Sequence, residues 1–198
     1  MVIARSLIVI SFLIALWLSL DGWFRQFSSA TLFAFGAVLS SGGFLILRWL
    51  SERFRLFARA RGSRAVTLGQ TLRFYGILAL VKAHEHILPV LFAIPTAIID
   101  VFFAVTSFYV AARLVAPDGK PRPGFYAWHI VGLGGLAVSV TLAVLTSSER
   151  FGLVKDGITS QPMTWFPMSL VPVFIGPMMV IFHLLALTSH RPERTSKK

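Results

Sequence analysis

The sequence predicts an all-α fold: a polytopic transmembrane helical bundle of about six spans, forming one domain over residues 1–198. Three observations lead there. Hydrophobic residues make up 56% of the chain and charged residues only 14%, with a mean hydropathy of +0.75; a soluble domain carries about 25% charged residues. Six apolar runs approach the ~20 residues that cross a bilayer, and at that length they leave no room for a second, soluble domain. The charges collect in alternate connections. There is no cysteine, which excludes disulfides and cysteine-ligated metals.

The first run, residues 6–20, lies between Arg5 and Asp21. No small-x-small cleavage pattern follows it, so it reads as a retained anchor rather than a signal peptide, with Trp17 and Trp23 near the outer interface. The second run, 30–47, ends at Arg48-Trp49 and leads into a basic amphipathic segment, 48–64. At 100° per residue Leu50, Phe54 and Phe57 share one face, opposite Arg48, Glu52, Arg55 and Arg59. This predicts an interfacial helix over 48–59 that continues from the second span. Its apolar face would sit in the acyl boundary, with Arg48, Arg55 and Arg59 on anionic headgroups.

The third run, 66–81, contains Arg73 and ends in the interruption KAHEHILPVLFAIP. The fourth, 97–116, contains Asp100. The loop PDGKPRPG follows, punctuated by Pro and Gly. The fifth run, 126–146, is followed by a polar connection. The sixth, 167–187, carries Pro167, Pro172 and Pro177, and a basic tail comes after it.

Six spans put both termini on one side. Arg5, the arginines of 48–64, Arg113, Lys120, Arg122 and the tail place 14 basic residues there against three acidic ones; the other side holds four of each. Arg73 and Asp100 lie within spans and cancel. The Lys/Arg bias makes the first side cytoplasmic, giving a multi-pass protein of a bacterial inner (cytoplasmic) membrane with cytoplasmic N- and C-termini. The whole net charge of +11 then follows from topology. The expected partner is a bilayer with anionic headgroups, and no nucleic acid is required.

Several residues invite chemistry. Arg73 and Asp100 are predicted to pair inside the membrane, because an unpaired charge there costs at least about 2.5–3.5 kcal/mol. Pro172 and Pro177 are expected to kink the last helix and to free the carbonyls of Met168 and Val173, as in the broken helices that line transporter sites. His129 and His183 fall at similar depth and are the candidate pair for a bis-His haem; Trp128 beside His129 suggests a quinone pocket. His84-Glu85-His86 is metal-ligand material by type, but residues two apart on a helix point about 200° apart and cannot share an ion; in an extended segment they could lie on one face, and the expected reading is a solvated outer-loop cluster. The small-xxx-small pairs Gly36/Ser40 and Gly135/Ser139 indicate close helix packing, within the chain or between copies. No Walker loop, H-E-x-x-H or G-x-S-x-G occurs, and no catalytic residue is assigned.

Two stretches, LRFYGILAL followed by LPVLFAIPTAIIDVFFAVTSF, and MTWFPMSLVPVFIGPMMVIFHLLAL, resemble an uncharacterised bacterial family of small multi-pass membrane proteins. The shared pattern falls on Arg73, Phe74, Gly76, Leu88, Pro89, Phe92, Pro95 and Asp100, then on Pro167, Pro172, Pro177 and His183. Where that pattern has Gly-Trp-Gly before the Asp, this chain has Ala97-Ile98-Ile99. His129 stands where it has Asn. The resemblance implies the fold and marks positions; it implies no activity.

The expected function is that of an integral membrane protein without enzymatic activity or cofactor, an accessory or interaction protein with a membrane-protein partner or a second copy of itself. The alternative is a small transporter or channel-like protein with a polar pathway near Arg73, Asp100 and the broken last helix. A second alternative is a redox protein binding haem or quinone.

Overall fold

A computed structural model of the chain describes residues 2–59, 62–148, 152–154 and 157–188. The described residues are almost entirely helical, with one isolated bridge between Val115 and Pro121. Eight α-helices occur among them: α1 (Val2–Leu20), α2 (Ser29–Leu50), α3 (Glu52–Arg59), α4 (Ser63–Leu68), α5 (Gly76–His84), α6 (Val90–Arg113), α7 (Phe125–Leu145) and α8 (Gly176–Thr188). A 3₁₀ stretch, Gly69–Tyr75, joins α4 to α5 without a break. A π-helical turn, Val171–Ile175, leads into α8. Among the described residues four helical segments are long and apolar enough to cross a membrane: Ser29–Leu50, Val90–Arg113, Phe125–Leu145 and Val171–Thr188.

The bundle is apolar outside and partly polar inside. Trp17, Phe35, Val38, Ile98, Phe102 and Val131 are exposed, whereas Gln70, Arg73, His129 and His183 are buried. In water this pattern would be ruinous; against lipid tails it satisfies both surfaces, because polar groups are costly in hydrocarbon. This is a membrane protein.

α6 packs against α4, the 3₁₀ stretch, α5 and α7, while α8 packs against α2, α4 and α7. α1 is peripheral. It meets the π turn through the Phe12 and Phe174 rings, 5.2 Å apart, and the turn before it through a hydrogen bond between the Ser19 and Ser169 hydroxyls. One apolar cluster gathers Phe33, Ala83, Phe92, Ala143 and Met168; the other gathers Phe44, Val66, Val110, Phe125 and Leu185. Along residues 66–79, α6 and α7, the buried polar residues Thr67, Gln70, Arg73, Thr96, Ser107, His129 and Ser139 fall between members of these two clusters. A polar layer is thus sandwiched between two apolar ones.

The element boundaries correct several expectations. Residues 48–59 do not continue the second span as one helix. α2 runs to Leu50, Ser51 is extended (φ −118°, ψ 112°), and α3 starts afresh at Glu52. Phe54 is half-buried, its ring packing against Phe44 at 5.5 Å. Arg55 turns back, donating to the carbonyls of Arg48 and Trp49 at the end of α2, where a cation offsets orphan carbonyls and the helix dipole. Arg48 is half-buried. The side chain of Arg59, Arg61 and the basic tail from residue 189 lie outside the described residues. Arg64 caps α6 in the same way, through the carbonyls of Ala111 and Val115.

The fourth span begins at Val90, not near residue 97. Pro89 stands at its N-cap, where a missing N–H costs nothing, and Pro95 is absorbed in the second turn. The interruption at 82–97 is therefore the end of α5, a tight turn and the start of α6. His84, Glu85 and His86 are exposed there, His86 is left-handed at φ 56°, and Glu85 pairs with Lys82 at 2.6 Å.

The last span starts later than residue 167. Phe166–Pro167 is a cis peptide in a turn, and Pro172 sits in the first turn of the π segment, not in a helix interior. The Met168 carbonyl is not freed; it accepts from the Val171 N–H at 3.0 Å. Pro177 does lie inside a helical run, where the π register hands the Val171 carbonyl to the Gly176 N–H. In that register a residue's donor reaches the carbonyl five back, so Pro177, which has no N–H, leaves the Pro172 carbonyl without that bond.

Candidate functional site

The 3₁₀ stretch sets the site. Three residues per turn align positions three apart, so Gln70 and Arg73 share a face; both are buried, as is Thr67 near the end of α4. Glycines at its ends let neighbouring helices in. A Cβ on Gly69 would stand 2.5 Å from the Phe182 ring of α8, and one on Gly76 would stand 2.6 Å from Asp100 Cβ of α6.

The structure brings Arg73 and Asp100 together. Arg73 Nε donates to Asp100 Oδ1 at 2.8 Å. The guanidinium lies over the Phe103 ring, 4.7 Å from its centroid, a favourable place for a cation. Arg73 is 2% exposed, and its Nη1 and Nη2 have no hydrogen-bond partner among the described residues. A guanidinium offers five N–H donors in a fixed fork, so Asp100 satisfies the Nε edge and leaves the terminal edge open.

His129 and His183 also meet. Their Nδ1 atoms are 2.8 Å apart and both rings are fully buried. The neighbouring groups fix the protons. The Thr67 hydroxyl donates to the Ser63 carbonyl at 2.7 Å, so it accepts from His129 Nε2–H at 3.3 Å. His129 Nδ1 is then the acceptor and His183 Nδ1–H the donor. His183 Nε2 is left as a lone pair with no partner among the described residues. It faces Gly132 of α7.

This geometry does not suit a bis-His haem, the second alternative. Two imidazoles in trans on one ion, with metal–nitrogen bonds of about 2.0–2.1 Å, hold their nitrogens about 4 Å apart, with the macrocycle between the rings. Here the rings bond each other and are enclosed by Phe103, Phe125 and Trp128. Trp128 is itself committed, donating to the Thr106 hydroxyl at 3.0 Å. Among the described residues no three His, Asp or Glu side chains converge as metal ligands.

A cavity of ≈ 70 Å³ opens beside the ion pair. Arg73, Thr96, Asp100 and Ser139 give it polar corners; Phe33, Phe92, Leu136 and Met179 make apolar walls; Pro172, Gly176 and Pro177 of the broken last segment complete it. Gly36 of α2 lets that segment close up, since a Cβ there would overlap the Pro172 carbonyl oxygen. The Tyr75 hydroxyl, also at the cavity, is tied to the Pro167 carbonyl at 2.6 Å. Thr67, Gln70, Thr96 and Ser139 are site residues that sequence reasoning passed over. The signal was there: polar side chains at i, i+3 and i+6 before Arg73, and Thr96 four residues before Asp100.

Fold and site together define a class: an all-α membrane bundle with a buried Arg–Asp pair and a His–His pair in its middle layer. The chain belongs to the family defined by a domain of unknown function, DUF8737, which matches residues 30–189. The match begins at the second residue of α2 and omits the peripheral α1. No curated protein and no solved structure matches the chain.

Proposed function

We propose that this is a multi-pass, non-enzymatic protein of a bacterial inner membrane whose bundle offers a binding place and pathway for a small polar solute, a transporter or channel-like role. One observation carries the reading: Arg73, Asp100 and the proline-broken last segment line the same cavity. Two charges are kept inside an apolar bundle at a cost of several kcal/mol each before pairing, and Arg73, whose Nη1 and Nη2 have no partner among the described residues, lines a space a solute can occupy. Six passes with cytoplasmic termini complete the topology. α1 provides the first, and α4, the 3₁₀ stretch and α5 together provide the third.

The absence of native cysteine makes the test clean. Ser139 lines the cavity and is buried. A Ser139→Cys variant in sealed membrane vesicles should react with a water-soluble thiol reagent, and slowly with a lipid-soluble one. If only the lipid-soluble reagent reaches it, the pathway does not exist and the accessory or interaction role takes its place.

A further inference from the structure

We propose that the cavity beside Arg73 and Asp100 binds a short-chain monocarboxylic acid together with one proton. The inference rests on the solute-binding reading above and names the solute's class.

The terminal edge of Arg73 sets the ligand's head. Two buried, partnerless nitrogens, Nη1 and Nη2, belong to a residue lining the cavity. Parallel N–H donors in a fork fit the two oxygens of a carboxyl group. The Thr96 hydroxyl, also buried at the cavity and without a partner among the described residues, can supply a further bond.

Charge balance sets the proton. Asp100 already neutralises Arg73 at 2.8 Å. A second bare carboxylate would put two negative charges on one guanidinium in a low-dielectric site, and carboxylates held that close share a proton instead. The stable loaded state is therefore one guanidinium, two carboxyl groups and one proton between them, with no net charge. The other titratable groups among the described residues here do not supply it. Tyr75 is committed to the Pro167 carbonyl, and His183 and His129 are spent on each other. The proton arrives with the acid.

The walls set the tail. Phe33, Phe92, Leu136, Val140, Met179 and Val180 offer hydrocarbon only. An apolar cavity of about 150 Å³ accommodates benzene, with six heavy atoms. A volume of ≈ 70 Å³ scales to about three or four, the size of formic or acetic acid.

The experiment uses radiolabelled acetate and the purified full chain in detergent, with pH followed in weak buffer. Saturable binding should take up roughly one proton per acetate and weaken about tenfold per pH unit throughout the range where free acetate is ionised. Acetamide, a neutral isostere with an N–H₂ in place of one oxygen of the carboxyl group, should compete only weakly and without proton uptake. Thr96→Val leaves the ion pair intact and should weaken acetate several-fold. In Asp100→Asn the acetate anion itself replaces the lost carboxylate, so it should raise the thermal midpoint and bind without proton uptake. No saturable acetate binding by the native chain overturns the proposal, as does binding with no proton taken up. If Asp100→Asn does not fold, the native stoichiometry and Thr96→Val decide. Ser139→Cys labelling separates the two levels: labelled but acetate-free protein loses only this ligand class, while unlabelled protein loses the pathway.

Discussion

Gly132 is the position where one methyl group should do most harm. Its ideal Cβ would stand 2.5 Å from His183 Nε2 and 3.1 Å from His183 Nδ1. Ordinary contact begins near 3.5 Å, so in Gly132→Ala the imidazole must retreat about 1 Å from α7. His129 lies one turn earlier on the same helix, and retreat from α7 is retreat from His129. The Nδ1···Nδ1 separation then passes from 2.8 Å to beyond hydrogen-bonding range. Overpacking costs about 1–3 kcal/mol, and leaving the buried donor and acceptor unpaired costs about 1–3 more. Against this stands up to about 1 kcal/mol of helix propensity gained over glycine. The net loss is about 1–6 kcal/mol, a fall in thermal midpoint of about 2–4 °C for each kcal/mol at this chain length. Gly134 is the control. It lies on the same helix with nothing within 4 Å of its Cβ position, so Gly134→Ala should be neutral or stabilising by about 0.5–1 kcal/mol. Thermal unfolding in detergent measures both, and imidazole nitrogen NMR should show protons on His129 Nε2 and His183 Nδ1 in the native chain only. Should Gly132→Ala melt no lower than Gly134→Ala, the packing of His183 against α7 is refuted.

Gly36→Ala should separate α2 from the π turn and lower stability by about 1–3 kcal/mol, whereas Gly43→Ala, facing open space on the same helix, should not; thermal midpoints compare them. Arg73→Gln and Asp100→Asn, assayed without acetate, should each cost about 3–5 kcal/mol by leaving a buried charge alone, and the reversal of both charges should recover part of the loss; equal stability of both single variants and the native chain would dissolve the pair's structural role. Ser28 caps α2 by accepting from the Thr31 N–H at 3.0 Å, so Ser28→Ala should lower stability by about 1 kcal/mol. A spin label at Phe54 should be shielded from both water and lipid-soluble relaxation agents, because the ring position faces Phe44; strong lipid exposure would restore the interfacial placement.

Hydropathy alone was enough for the class, the apolar helices and the polar loops, because a bilayer demands long runs of apolar side chains and internally bonded backbone. It also exposed Arg73 and Asp100, since two opposite charges within apolar runs have few ways to be accommodated other than each other. Boundaries near proline were not legible. A Pro at an N-cap, as at Pro89, and a Pro in a second turn, as at Pro95, look alike in sequence, and only the bonds made by neighbouring residues tell them apart. The partners of His129 and His183 were not legible either. Similar depth allowed a shared cofactor as readily as a direct hydrogen bond, and the choice fell to the glycine at 132, which lets α8 lie so close to α7 that the rings touch. The cavity is wholly a tertiary fact. It forms where Arg73 and Tyr75 of the 3₁₀ stretch meet side chains of α2, α6, α7 and the last segment around a space that none of them encodes by itself.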